Sequence, residues 1–207
     1  MDNKGATSAA TALLLISSIL IAATIVTIIT SGTDESSEED MDQILEEALD
    51  EISTYIQIKD IVGKYSSKEN GQKIEQIAIM IKPLFSVEID LSQLLIKLDN
   101  GNQVKILYYN QNADFIGAQN LFSHSIWSSL NATNFSLIVT NDNDNSIIDF
   151  NTINENTDMI YLIIKLPDDF KLKKGDQLLI TLFPSTGITK IINIEAPLPI
   201  KQVVSLL

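Results

Sequence analysis

The sequence predicts an α+β chain: a long N-terminal helix, hydrophobic and then amphipathic, followed by an antiparallel β-sandwich or barrel. Three observations predict it. No charged residue occurs from Gly5 to Thr33. From Asp34 to Glu51 ten acidic residues occur with no basic one, supplying most of the net charge of −13. Beyond Gly63 the chain breaks into short apolar runs divided by Asn, Asp, Gly and Pro. The expected segments are therefore a leader at 1–5, a helix over 6–62 and a β domain over 63–207.

The segment from Ala6 to Thr30 would measure about 37 Å as a helix, enough to cross a hydrocarbon core of about 30 Å. A secretory signal peptide would carry a basic start, a shorter apolar core and a small-residue cleavage site after it. Here only Lys4, set against Asp2, precedes a long core. A plain membrane anchor fits the length. A third reading comes from the Ala, Ser and Thr that fill positions 6 to 12 and return at Ser17, Ser18, Ala22, Ala23, Thr24 and Thr27. Small residues let helix backbones approach closely. Such a segment suits lipid first and a bundle of identical helices afterwards.

Ser31-Gly32-Thr33 is a weak point, since glycine costs about 1 kcal/mol against alanine inside a helix. Helical spacing then resumes through Met41, Ile44, Leu45, Ala48, Leu49, Ile52 and Ile56. Glu38, Glu39, Asp42, Glu46, Glu47 and Asp50 fall on the opposite face. They read as a solvated face, with no histidine partner that would make them a metal or catalytic cluster.

In the β domain the candidate strands are Ile74 to Lys82, Val87 to Leu91, Leu94 to Leu98, Val104 to Tyr109, Ser136 to Thr140, Ile147 to Phe150, Met159 to Lys165, Gln177 to Phe183 and Ile188 to Ile194. Asp99-Asn100-Gly101-Asn102 marks a tight turn. Short strands at this spacing, with no helix-length segment between them, indicate an Ig-like sandwich or a barrel.

Chemistry is sparse. All fourteen basic residues are dispersed lysines, which excludes a phosphate-tracking nucleic-acid surface. Without cysteine there is no disulfide frame, thiolate metal site or cysteine nucleophile. The single histidine, His124, lies between Ser123 and Ser125. Sequence neighbours do not make a nucleophile–base pair, so it reads as a loop histidine beside apolar anchors. Asn141-Asp142-Asn143-Asp144-Asn145 offers oxygen ligands of the kind hard cations take. It lacks the glycine and terminal glutamate of an EF-hand loop, so it reads as a polar turn, with calcium at Asp142 and Asp144 the alternative. No cofactor is required. Asn131-Ala132-Thr133 and Asn134-Phe135-Ser136 are N-glycosylation sequons. No phosphate loop or nucleophile elbow occurs, and nothing points to an enzyme.

Lys4-Gly5-Ala6-Thr7, leading straight into the apolar run, resembles the class III signal-peptide junction of archaeal flagellins (archaellins). Ile77-Ala78-Ile79-Met80-Ile81-Lys82-Pro83 with Ile89-Asp90-Leu91-Ser92 is similar to that family's first strand and turn. Leu172-Lys173-Lys174-Gly175-Asp176, followed by Leu178 to Pro184, is similar to its late hairpin. The leader is shorter and less basic than the family's usual one. The resemblance implies cleavage between Gly5 and Ala6 by a prepilin-peptidase-like enzyme, with the precursor held in the membrane. It further implies an extracellular archaellum filament of copies of this chain or of mixed archaellins, served by separate motor and platform proteins. Glycans at Asn131 or Asn134 would sit on its outer surface. The alternatives are a type IV adhesion pilin, which shares the leader logic, and an N-terminally anchored extracellular β-sandwich that binds a ligand.

Overall fold

The computed structural model describes residues 56–67, 72–86, 88–185 and 189–207. The leader, the apolar segment and the acidic amphipathic stretch lie outside the described residues. The strands are β1 (Ile56–Tyr65), β2 (Ile74–Pro83), β3 (Ile89–Asp90), β4 (Leu95–Asp99), β5 (Val104–Phe115), β6 (Asn134–Asn141), β7 (Thr152–Ile153), β8 (Met159–Lys165), β9 (Gln177–Phe183), β10 (Lys190–Glu195) and β11 (Val203–Ser205). One short helix, α1 (Ser146–Phe150), stands between β6 and β7. Nine strands form one sheet in the order β10-β9-β4-β5-β6-β8-β2-β1-β11, while β3 and β7 pair separately.

Strand formation follows from two-residue alternation of branched side chains. Ile77, Ile79 and Ile81 of β2 point to one side, as do Ile96 and Leu98 of β4 and Leu178, Ile180 and Leu182 of β9. All of them join one buried apolar core. A single sheet whose two halves turn the same face to one core must curl upon itself. The curl brings the end of β10 back toward β1: the Tyr65 hydroxyl donates to the carbonyl of Pro197, and its amide donates to Gln202 at 2.8 Å. Turn chemistry sets the strand ends. Gly101, at φ 82°, occupies the left-handed region in the β4–β5 hairpin, where Asp99 accepts its amide at 3.0 Å.

Three features depart from the sequence reading. Residues 56–62, assigned to the helix, are strand: β1 begins at Ile56 and pairs with β2 from Ile56 opposite Pro83 onward. Its Ile, Val and Gly content and its long antiparallel partner outweigh the helical spacing that ended on Ile56. Residues Ile147 to Phe150, expected as strand, form α1. Asn145 and Asn151, at φ 60° and 57°, bracket it in the left-handed conformation that asparagine tolerates. The Ile147 amide donates to Asp142 Oδ2 at 3.1 Å, which starts the turn. The sheet is also not wholly antiparallel, because β5 and β6 run parallel.

That parallel pair has a large consequence. Parallel neighbours cannot be joined by a tight hairpin, so the chain must cross the sheet between them. The crossover, residues 116–133, lies over the outer face of β2, β6 and β8. There Phe122, Ile126, Trp127 and Leu130 bury Ala78, Ile138 and Ile163 in a second apolar cluster. The Trp127 indole donates to the Leu121 carbonyl at 2.7 Å and its ring stacks on Phe122 with centroids 5.5 Å apart. We expect Trp127→Ala to destabilise the chain by about 3–5 kcal/mol, the range for removing a large buried aromatic side chain. Urea unfolding followed by circular dichroism measures it.

Candidate functional site

Three groups of residues singled out by sequence stand along the crossover and β6: His124 within the crossover, the sequons where it enters β6, and the acidic loop where β6 ends. His124 lies in an irregular part of the crossover beside the apolar Phe122, Ile126 and Trp127, and is buried there. Its Nδ1 accepts the Ile126 amide at 3.3 Å, capping a short 3₁₀ segment, Ser125–Ser129. Its Nε2 lies 3.1 Å from the Phe115 carbonyl and 3.7 Å from Asp114 Oδ2. The Ser123 hydroxyl donates instead to Asn120 at 3.1 Å, so no nucleophile–base pair forms there. His124 holds the crossover to the end of β5.

The two sequons stand in different surroundings. Asn131 occupies an exposed turn, where its Oδ1 accepts both the amide and the hydroxyl of Thr133 at 2.8 Å. Asn134 opens β6 and is half-buried, its Oδ1 accepting the Asn131 amide at 2.9 Å. The other two residues of its sequon are sunk in the sheet: Phe135 packs against Tyr109, and Ser136 is buried. The Ser136 hydroxyl donates to Asn110 Oδ1 at 2.8 Å. Asn110 stands where β5 carries extra residues against β6, with Gln111 at φ 55°. Burial pushes the Tyr109 phenol up, and its hydroxyl donates to Asn151 Oδ1 at 3.0 Å.

The acidic loop after β6 gathers Asp142, Asp144 and, from the segment before β8, Asp158. Asp144 is exposed and well served: Asn154 Nδ2 donates at 2.6 Å and the Ser146 amide at 3.1 Å, which together hold its carboxyl down to about 2. Asp142 is raised above the ordinary carboxylate range, mainly by burial, and the nearby Asp144 and Asp158 add to this against the Ile147 amide. Asp158 is 0% exposed, and its Oδ2 accepts the amides of Asn154 and Glu155. The Oδ1 atoms of Asp142 and Asp158 are buried without a hydrogen-bond partner. Among the described residues, no three His, Cys, Asp or Glu side chains converge on one metal position. Carbonyl and amide oxygens would have to complete any cation shell. Sequence reading missed Asp158, because only the fold carries it across to a loop sixteen residues earlier, where Asn141 Nδ2 donates to the Thr157 carbonyl.

With this geometry the chain matches known proteins. The model of the archaeal-type flagellin family matches residues 5–194. The chain belongs to this family. Archaellins are filament subunits of the archaellum, a structural rather than a catalytic role, and this chain is one of them. It is 26% identical over 204 residues to Flagellin B3 of Methanocaldococcus jannaschii, covering 95% of this chain and 92% of that one. Its fold is similar to the crystal structure of archaeal flagellin FlaB1 from the same organism, with a TM-score of 0.65 and 21% identity. That match covers 73% of this chain and 95% of FlaB1. The archaeal flagellum of Methanospirillum hungatei strain JF1 is similar at a TM-score of 0.53 and 12% identity, covering 95% and 97% of the two chains.

For an archaellin, the chemistry of these groups is architectural. Asn110 shows this most directly, because its removal strands a buried hydroxyl. Asn110→Ala should cost about 1–3 kcal/mol in thermal or urea unfolding. Asn110→Ala combined with Ser136→Ala should recover part of that loss.

Proposed function

We propose that the chain is made as a membrane-inserted precursor, cut between Gly5 and Ala6 by a prepilin-peptidase-like enzyme, and added to the base of an extracellular archaellum. What supports this reading is that similarity to the archaellin family begins at Gly5 and continues through the apolar segment into the β domain. Exposed to water, an apolar helix would be penalised at about 25 cal/mol for each Å². Leaving the membrane is favourable only when other copies cover that surface at once. Copies of this chain, or mixed archaellins, are then its main partners, and separate motor and platform proteins supply torque. The family assignment separates this reading from the adhesion-pilin alternative.

Intact-mass and peptide mass spectrometry of filaments sheared from the cells tests it. The expected mature chain begins at Ala6, and Gly5→Val should leave uncut chain in the membrane with no filament. A chain that stays in the membrane and still begins Met1-Asp2-Asn3 would instead establish the anchored binding domain. The same spectra read the sequons. Exposure of Asn131 and burial of Phe135 and Ser136 favour Asn131 as the glycan-bearing residue. Hexose-type mass should therefore map to Asn131 and disappear in Asn131→Gln.

A second reading concerns the acidic loop and is favoured by the orphaned Oδ1 atoms of Asp142 and Asp158. In it, a calcium ion sits at the Asp142 and Asp144 loop, where oxygen donors suit a hard cation. When bound, the ion supplies charge neutralisation and no catalysis. Calcium should then raise the melting temperature of the parent chain over an EDTA control, and should not raise that of Asp142→Asn. Equal melting of the parent with and without calcium would sink the idea.

A further inference from the structure

The outer face of the curled sheet is covered in one half and bare in the other. Over β2, β6 and β8 the crossover buries Ala78, Ile138 and Ile163. Over β5, β4, β9 and β10 the outer face keeps large apolar side chains exposed, among them Tyr108, Ile106, Phe183 and Ile191. Strand register sets its side chains in rows. Tyr108, Leu95 and Phe183 stand side by side, and Ile106 aligns with Lys97, Thr181 and Ile191. Tyr108 is 57% exposed and Ile191 64%. Single exposed apolar residues are ordinary, but adjacent rows of them mark an interaction surface.

Charge and the requirement for an open polymer indicate the occupant. The stretch 34–51 holds ten of the thirteen net negative charges, so residues 52–207 carry only −3 and two β domains repel weakly. On this face Lys97 and Asp99 pair with each other at 3.4 Å, leaving it no uncompensated charge of its own except at the edge. At its β10 edge stands exposed Glu195. A filament that does not close needs contact between two unlike surfaces of the same chain. Among the described residues, a second run of exposed apolar side chains is the segment 198–207, where Leu198, Ile200 and Leu207 are exposed, Ile200 by 82%. Its charged side chain, Lys201, complements Glu195.

We propose that the bare outer face of β4, β5, β9 and β10 in one copy receives the segment 198–207 of the next copy in the filament. This rests on the filament function above and adds the surfaces through which β domains meet. A lateral contact of this kind would link successive subunits outside whatever the apolar N-terminal segments contribute.

The absence of native cysteine allows a clean test. Filaments are sheared from cells expressing Ile106→Cys together with Ile200→Cys, oxidised mildly, and run on non-reducing gels beside both single variants. A ladder of dimers, trimers and higher species in the double variant, absent from both singles, is the expected result. Dimers from Ile106→Cys alone would mean that the face meets itself, and would overturn the proposal. A sheared polymer with no ladder, or with a bridge inside one chain only, overturns it too while leaving the filament function intact. If the double variant does not assemble, co-expression with excess unaltered chain carries it into the polymer. Dimers joined by one disulfide between the two substituted positions, mapped by peptide mass, then support the contact, and their absence overturns it. Failure of the unaltered chain to form any polymer would remove the filament function and this contact together.

Discussion

The β domain depends on one pairing, the parallel alignment of β5 with β6. The sequential antiparallel pairs β1–β2, β4–β5 and β9–β10 are joined by short returns, but this parallel one forces the chain across an outer face. Because the crossover is rich in Leu, Phe, Ile and Trp, it becomes a second apolar layer instead of a solvated loop. His124 and the Trp127 indole satisfy the backbone groups that such a layer would otherwise leave unpaired. The sequon turn follows from the same pairing, since Asn131 stands where the crossover descends to rejoin the sheet.

Much of this was legible in the sequence where alternation was long and its punctuation strong. Met159 to Lys165 and Gln177 to Phe183 are strands with the expected limits, because alternating Ile and Leu between polar turns admits little else. The Asp99 to Asn102 turn is equally plain. Errors fell where local signals conflict. Ile56 completes a helical stripe and also begins a β-branched alternation, and only its partner Pro83 in β2 decides between them. Ile147 and Ile148 have strand composition, yet two asparagines in the left-handed conformation wind them into a turn of helix. The parallel pairing had no signature of its own, because the apolar residues of the crossover follow neither strand nor helix spacing and so read as an ordinary long loop.

The functional groups were legible in identity more than in arrangement. The sequons are visible as triplets, but their unequal exposure depends on β6 beginning at Asn134 and carrying Ser136 into the sheet. The acidic loop shows Asp142 and Asp144, whereas Asp158 joins them only through the fold. Family membership was legible at both ends, in the Lys4-Gly5-Ala6 triplet at the border of the apolar run and in the Gly175-Asp176 turn before β9, because short motifs of that kind stand out from the apolar runs beside them.

The place of β1 in the sheet has a mechanical consequence. The described part of the domain begins with β1, which is flanked by antiparallel β2 on one side and β11 on the other. A force directed along the axis of β1 would run across its ladder hydrogen bonds, which lie perpendicular to the strand. The load is shared by the whole row of bonds at once instead of opening them one by one from the end. Such a shear load would have to break the β1–β2 and β1–β11 ladders together, so β1 resists an axial force far better than a peeling one.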